Sequence, residues 1–151
     1  MIKLTNLPEL SNFEIMDMVG KSQYYLGCYP KDGVPKKLWK RKGFIVINMD
    51  DQGNSGTHWV YLQLGNKDNY YIDSFGLAPP TQIANGMKAT KRPCYFNDIQ
   101  LQDKVTSSCG WWVCMFAIEC AIKGRPVVDV LLDDFTYDTK ENERRLIQYW
   151  E

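Results

Sequence analysis

Two short stretches of this chain carry side chains able to act on a carbonyl carbon: Thr57-His58-Trp59 and Ser107-Ser108-Cys109-Gly110-Trp111-Trp112. His58 is the only histidine. A thiol attacks as its thiolate, so it needs a base beside it and a local field that favours the anion. Ser107 or Ser108 is placed to cap a helix whose first turn holds Cys109. Unpaired amides and the positive end of the helix dipole favour negative charge there. Gly110 removes a side chain that would obstruct an approaching carbonyl. The competing reading of Cys109 is a small buried hydrophobe, which suits Cys114 and Cys120 well.

The elements around these residues decide whether they meet. Residues 58–64 alternate apolar with polar, residues 69–73 do the same, and Gly65-Asn66-Lys67-Asp68 between them predicts a hairpin. A hairpin sets the start of its first strand beside the end of its second. His58 and Asp73 therefore become neighbours although about fifteen positions separate them. In that arrangement Asp73 accepts a hydrogen bond from one ring nitrogen and fixes the tautomer, so that the other nitrogen faces the thiol. Acyl transfer also needs donors aimed at the developing oxyanion. Gln102, shortly before the cysteine, is the candidate together with the Cys109 amide; Gln100 competes, because alternate strand residues share a face. Trp59, next to the base, and Gly110, next to the thiol, are the expected substrate contacts. The Trp59 ring is placed to shield the His58–Cys109 pair from water.

Elsewhere the pattern predicts a compact α+β chain. Ser11-Asn12-Phe13-Glu14 has the form of a capping box opening a helix with Phe13, Met16 and Val19 as its apolar stripe, stopped by Gly20. Residues 43–49 hold the apolar run Phe44-Ile45-Val46-Ile47 of a buried strand, followed by a polar loop over 50–56. A weak helix is expected over 81–88, with Gly86 against a long one. Residues 94–101 read as a strand with Tyr95, Ile99 and Leu101 in the core. Residues 109–123 are apolar nearly all round, which predicts a central buried helix closed by Gly124 and Pro126. The apolar segment 127–132 fits either helix or strand. Asp138-Thr139-Lys140-Glu141 caps a last amphipathic helix carrying Leu146, Ile147 and Trp150.

A length of 151 residues fits a single domain, 1–151, able to bury a core without staples. Eighteen basic residues balance eighteen acidic ones, so overall charge makes no case for nucleic acid or membrane as partner. Residues 36–42, with five cations, are expected to form a solvated surface turn. No window holds the roughly 20 apolar residues of a membrane span, and the N-terminal ten lack a signal core. An intracellular setting or assembly inside a particle follows, with the five cysteines as reduced thiols. The cysteines of 109–123 lie along one apolar helix without a knuckle or a second histidine, which argues against zinc.

Tyr25-Leu26-Gly27-Cys28-Tyr29, Ile45-Val46-Ile47-Asn48, Gly56-Thr57-His58-Trp59 and Ser108-Cys109-Gly110 together resemble the adenain family of viral maturation proteases. The order His, acid, Gln, Cys is shared with the wider clan that includes the SUMO-specific proteases. The likeness runs over residues 23–121. It implies a mixed β-sheet packed against the helix that carries the cysteine at its N-terminus. It implies His58 as base, Asp73 as orienting partner, Cys109 as nucleophile and Gln102 in the oxyanion hole. The activity it implies is that of a cysteine endopeptidase, processing capsid and core precursors after small residues such as Gly. The setting would be the virion and host-cell interior of a small double-stranded DNA virus or related element, such as a virophage or Maverick-type transposon. The chain departs from adenain in being shorter after the catalytic helix and in having Asp for Glu as the acid. The residues themselves call for no cofactor. The resemblance implies activation by a disulfide-linked peptide and by DNA, with Cys94 near the peptide-bonding position but differently spaced from Gln102. Polypeptides are the expected partners of a monomer. The alternatives are an isopeptidase for ubiquitin-like tags, a related acetyltransferase, and an inactive interaction module that retains the fold.

Overall fold

The computed structural model describes residues 6–50 and 58–151. The expected loop at 51–56, and Thr57, lie outside the described residues. Among the described residues, five strands form one mixed sheet in the order β1 (Tyr25–Pro30), β2 (Gly43–Asn48), β3 (Trp59–Leu64), β4 (Asn69–Ile72), β5 (Cys94–Phe96). The two outer pairs are parallel and the two inner pairs antiparallel. β2 is buried on both faces, as its unbroken apolar run requires. Phe44 and Val46 join Tyr61 beneath one layer of helices, while Ile45 and Ile47 join Val60 and Leu62 beneath the other.

The first layer holds α1 (Asn12–Val19), α3 (Cys109–Phe116) and α5 (Thr139–Trp150). The capping box at the head of α1 is formed: Glu14 N–H donates to Ser11 Oγ at 3.2 Å, and Ser11 N–H to Glu14 Oε1 at 3.0 Å. Its apolar stripe matches the expected one at Val19 alone. Ile15 and Val19 are buried, whereas Phe13 and Met16 face solvent. Both sets have helical spacing; packing against α3 selects the Ile15 face. α5 begins as read, with Asp138 Oδ1 accepting from the Lys140 and Glu141 amides.

α3 does not continue as α-helix to Lys123. From Ala117 to Ile122 it widens into a π-turn, with Lys123 N–H reaching back to Ile118 O at 2.9 Å. The widened turn places Glu119 against Arg125 at 2.9 Å, and Arg125 also pairs with Asp134 at 2.8 Å. Residues 127–132 belong to a helix, α4 (Val127–Asp134), started by Pro126.

The second layer is α2 (Thr81–Ala89) and a 3₁₀ turn, Lys36–Lys40. The five cations of 36–42 are solvated, as expected, yet the segment is anchored: Leu38 is buried in the core beneath α2. The expected strand 94–101 shrinks to three residues at the sheet edge. Tyr95 is exposed and stacks on Tyr70, while Leu101 is buried. Past Phe96 the ladder gives way to the Asn97 side chain, which bonds both the N–H and the carbonyl of Asp73. No helix of the described residues is long and apolar enough to cross a membrane.

Candidate active site

The hairpin delivers its two ends as predicted. Tyr61 pairs with Ile72, so the residues just before β3 and just after β4 lie side by side. His58 Nε2 donates to Asp73 Oδ1 at 2.8 Å. Asp73 has no solvent exposure, and the same Oδ1 accepts the Phe75 amide at 2.8 Å. Phe75 also stacks its ring on the imidazole, with centroids 4.7 Å apart. A tight turn makes this possible: Gly76 N–H returns to Asp73 O at 2.8 Å, and Gly76 has φ +77°. The chain thereby brings the Asp73 carboxylate and the Phe75 ring to the same imidazole.

With Nε2 taken, Nδ1 is the nitrogen left for a thiol, and it is buried without a well-formed hydrogen bond. Cys109 is the first residue of α3 and is buried. Burial alone would lower the His58 pKa, but hydrogen bonding and charge from Asp73, and then from Cys109, outweigh it and raise the pKa to about 9. The imidazole is thus coupled most strongly to the Asp73 carboxylate and less strongly to the Cys109 thiol.

The cap of α3 is not the one expected. Ser108 occupies the N-cap position, yet its hydroxyl accepts no helix amide. Its carbonyl accepts the Trp111 and Trp112 amides, and its Oγ lies 3.3 Å from Thr106 Oγ1. Gly110 serves packing: a Cβ there would stand 3.0 Å from Leu10 Cβ. Trp59 is buried, with its Nε1–H donated to Leu10 O at 2.9 Å. Trp59 and Leu10 together wall a cleft of ≈ 600 Å³ that also takes in Glu9, Glu14, Cys28 and Asn48.

Gln102 is fully buried, with its Oε1 accepting from Ser74 Oγ at 2.6 Å. Gln100 is half-buried and donates to Gln102 O at 2.9 Å. Cys94 stands apart from these groups, exposed in β5, with its sulfur directed at the Met87 and Arg92 carbonyls. Sequence reasoning missed Phe75, Asn97, Ser74 and Thr106. The one available signal was Asp73-Ser74-Phe75-Gly76, a polar cluster with glycine closing a strand.

No family model and no curated protein matches the sequence. Solved structures do. The ASFV protease superposes with a TM-score of 0.62 at 16% identity, over 92% of this chain and 66% of that one. The SUMO protease Ulp1, solved with its catalytic cysteine oxidised to a sulfinic acid, superposes with a TM-score of 0.52 at 16% identity, over 95% and 77%. The fold is that of the SUMO-protease-like cysteine proteases. The architecture implied by the adenain resemblance, a mixed sheet against a cysteine-bearing helix, is the one found. This chain spans 66% of the length of the ASFV protease.

Proposed function

We propose that this protein is a cysteine endopeptidase in which Cys109 is the nucleophile, His58 the base and Asp73 its orienting partner. The observation that carries this reading is the 2.8 Å bond from His58 Nε2 to buried Asp73, which leaves the buried Nδ1 for the thiol of Cys109 at the head of α3. His58 takes the thiol proton, and the sulfur attacks the scissile carbonyl carbon. The carbonyl oxygen becomes an oxyanion, received by the Cys109 backbone N–H and the Gln102 amide. Collapse of the tetrahedral species breaks the C–N bond as imidazolium gives its proton to the leaving amine. Water, deprotonated by His58, then releases the acyl group from sulfur.

Trp59 and the cleft it shares with Leu10 form the substrate wall of this reading, and Gly110 lets the Leu10 segment close on α3 next to the nucleophile. The substrates are polypeptides, specifically capsid or core precursors cut after small residues of the Gly type. The enzyme works as a monomer inside the virion or host cell. An activating peptide or DNA belongs to the adenain resemblance; an exposed Cys94 is compatible with a peptide attached through sulfur.

Incubating wild type and Cys109→Ala with Gly-containing precursor proteins, and mapping new termini by mass spectrometry, tests the proposal. Cleavage after small residues by wild type alone is expected. Cleavage by the alanine variant would remove Cys109 from the mechanism.

A further inference from the structure

A donor is useful to an oxyanion only if it has a hydrogen to give. The Gln102 side chain has two on Nε2. Both are spent: Nε2 donates to Thr106 O at 3.1 Å and to Thr106 Oγ1 at 3.1 Å. Its Oε1 is held by Ser74 Oγ, which fixes the amide in this orientation, and the residue has no exposed surface. Thr106 is itself clamped. Its Oγ1 donates to Asp103 O at 2.8 Å, its N–H bonds the same carbonyl at 3.0 Å, and its hydroxyl meets Ser108 Oγ just before Cys109.

We propose that Thr106 is a latch on the oxyanion donor: it holds Gln102 turned away from the substrate in the resting protein, and one Gln102–Thr106 bond must break for acylation. The proposal rests on Gln102 being the oxyanion donor. The latch lies three residues before Cys109, so a shift of the 106–108 segment as substrate seats would free the amide and bring it toward the thiol's target. Holding the amide internally also keeps a buried donor satisfied when no substrate is present.

The test compares two reactions of one sulfur. Acylation by an activated peptide ester creates an oxyanion; alkylation by iodoacetamide, a displacement at a saturated carbon, creates none. Thr106→Val removes the hydroxyl and keeps the shape. It should raise the acylation rate on the order of fivefold, the worth of one neutral hydrogen bond, and leave alkylation unchanged. Thr106→Ser keeps the hydroxyl and should restore the wild-type rate. Thr106→Ala serves if the valine variant melts at assay temperature. In a Gln102→Ala background, Thr106→Val should have no effect. Acylation unchanged or slowed in Thr106→Val, with alkylation intact, overturns the latch. Acylation insensitive to Gln102→Ala overturns instead the assignment of Gln102 beneath it.

Discussion

Asn97 grips the backbone of Asp73 from both sides: its Oδ1 accepts the Asp73 N–H at 3.0 Å and its Nδ2 donates to the Asp73 carbonyl at 2.7 Å. A second bond from Nδ2 reaches Ile99 O at 3.1 Å. This single amide substitutes for ladder bonds where β4 ends, and so sets where the carboxylate points. Asn97→Ala strands buried backbone groups at the site. It should cost about 1–3 kcal/mol in urea unfolding and slow peptide cleavage, since Asp73 loses its fixed position. Unchanged stability would show that the grip is dispensable.

His58 is the lone histidine, so its ring gives one unambiguous NMR titration. The midpoint should lie near pH 9. Asp73→Asn should move it down toward the ordinary value of about 6.5. Cys109→Ala should move it down by less, because Asp73 is the stronger raising influence. The sign for stability follows. The folded state binds this proton more tightly, so the contribution is full below about pH 6.5 and is lost as pH rises through about 9. Urea midpoints between pH 6 and 10 should fall more steeply for wild type than for Asp73→Asn.

On the far face of the sheet, Trp39 lies against Gly86. A Cβ at position 86 would stand 2.1 Å from two atoms of the indole ring. Gly86→Ala therefore overpacks and should cost about 1–3 kcal/mol, outweighing the roughly 1 kcal/mol an alanine gains in a helix. Trp39→Leu should recover part of that loss in the double variant, since it removes the clashing ring. Additive losses would contradict the contact. Cys109 alkylation should be unaffected throughout, because α2 packs against the opposite face from α3.

Much of the site was legible because periodicity and turns are local. Alternation over 58–64 and 69–73, with a polar turn between, was enough to place His58 beside Asp73. The switch from polar residues to an apolar run at Cys109 located the start of α3. What escaped had no local pattern. β1 is half-buried at every residue and carries Gly27 at φ +124°, so it shows no alternation. Phe13 and Ile15 were equally good helix-face candidates until a partner helix chose between them. Gly86 read as a helix weakener because nothing nearby reveals that an indole 47 positions away fills its space. Asn97 and Thr106 act through backbone groups of distant or folded-back segments, and single polar residues leave no period to detect.

The central claim is that Cys109 draws its reactivity from His58. Iodoacetamide labelling of Cys109 at neutral pH, followed by peptide mass spectrometry in wild type and His58→Ala, measures this directly. Rapid labelling of wild type and labelling at least tenfold slower in the variant is the predicted result. Equal rates in two folded proteins would contradict it, leaving the protease fold without a working pair.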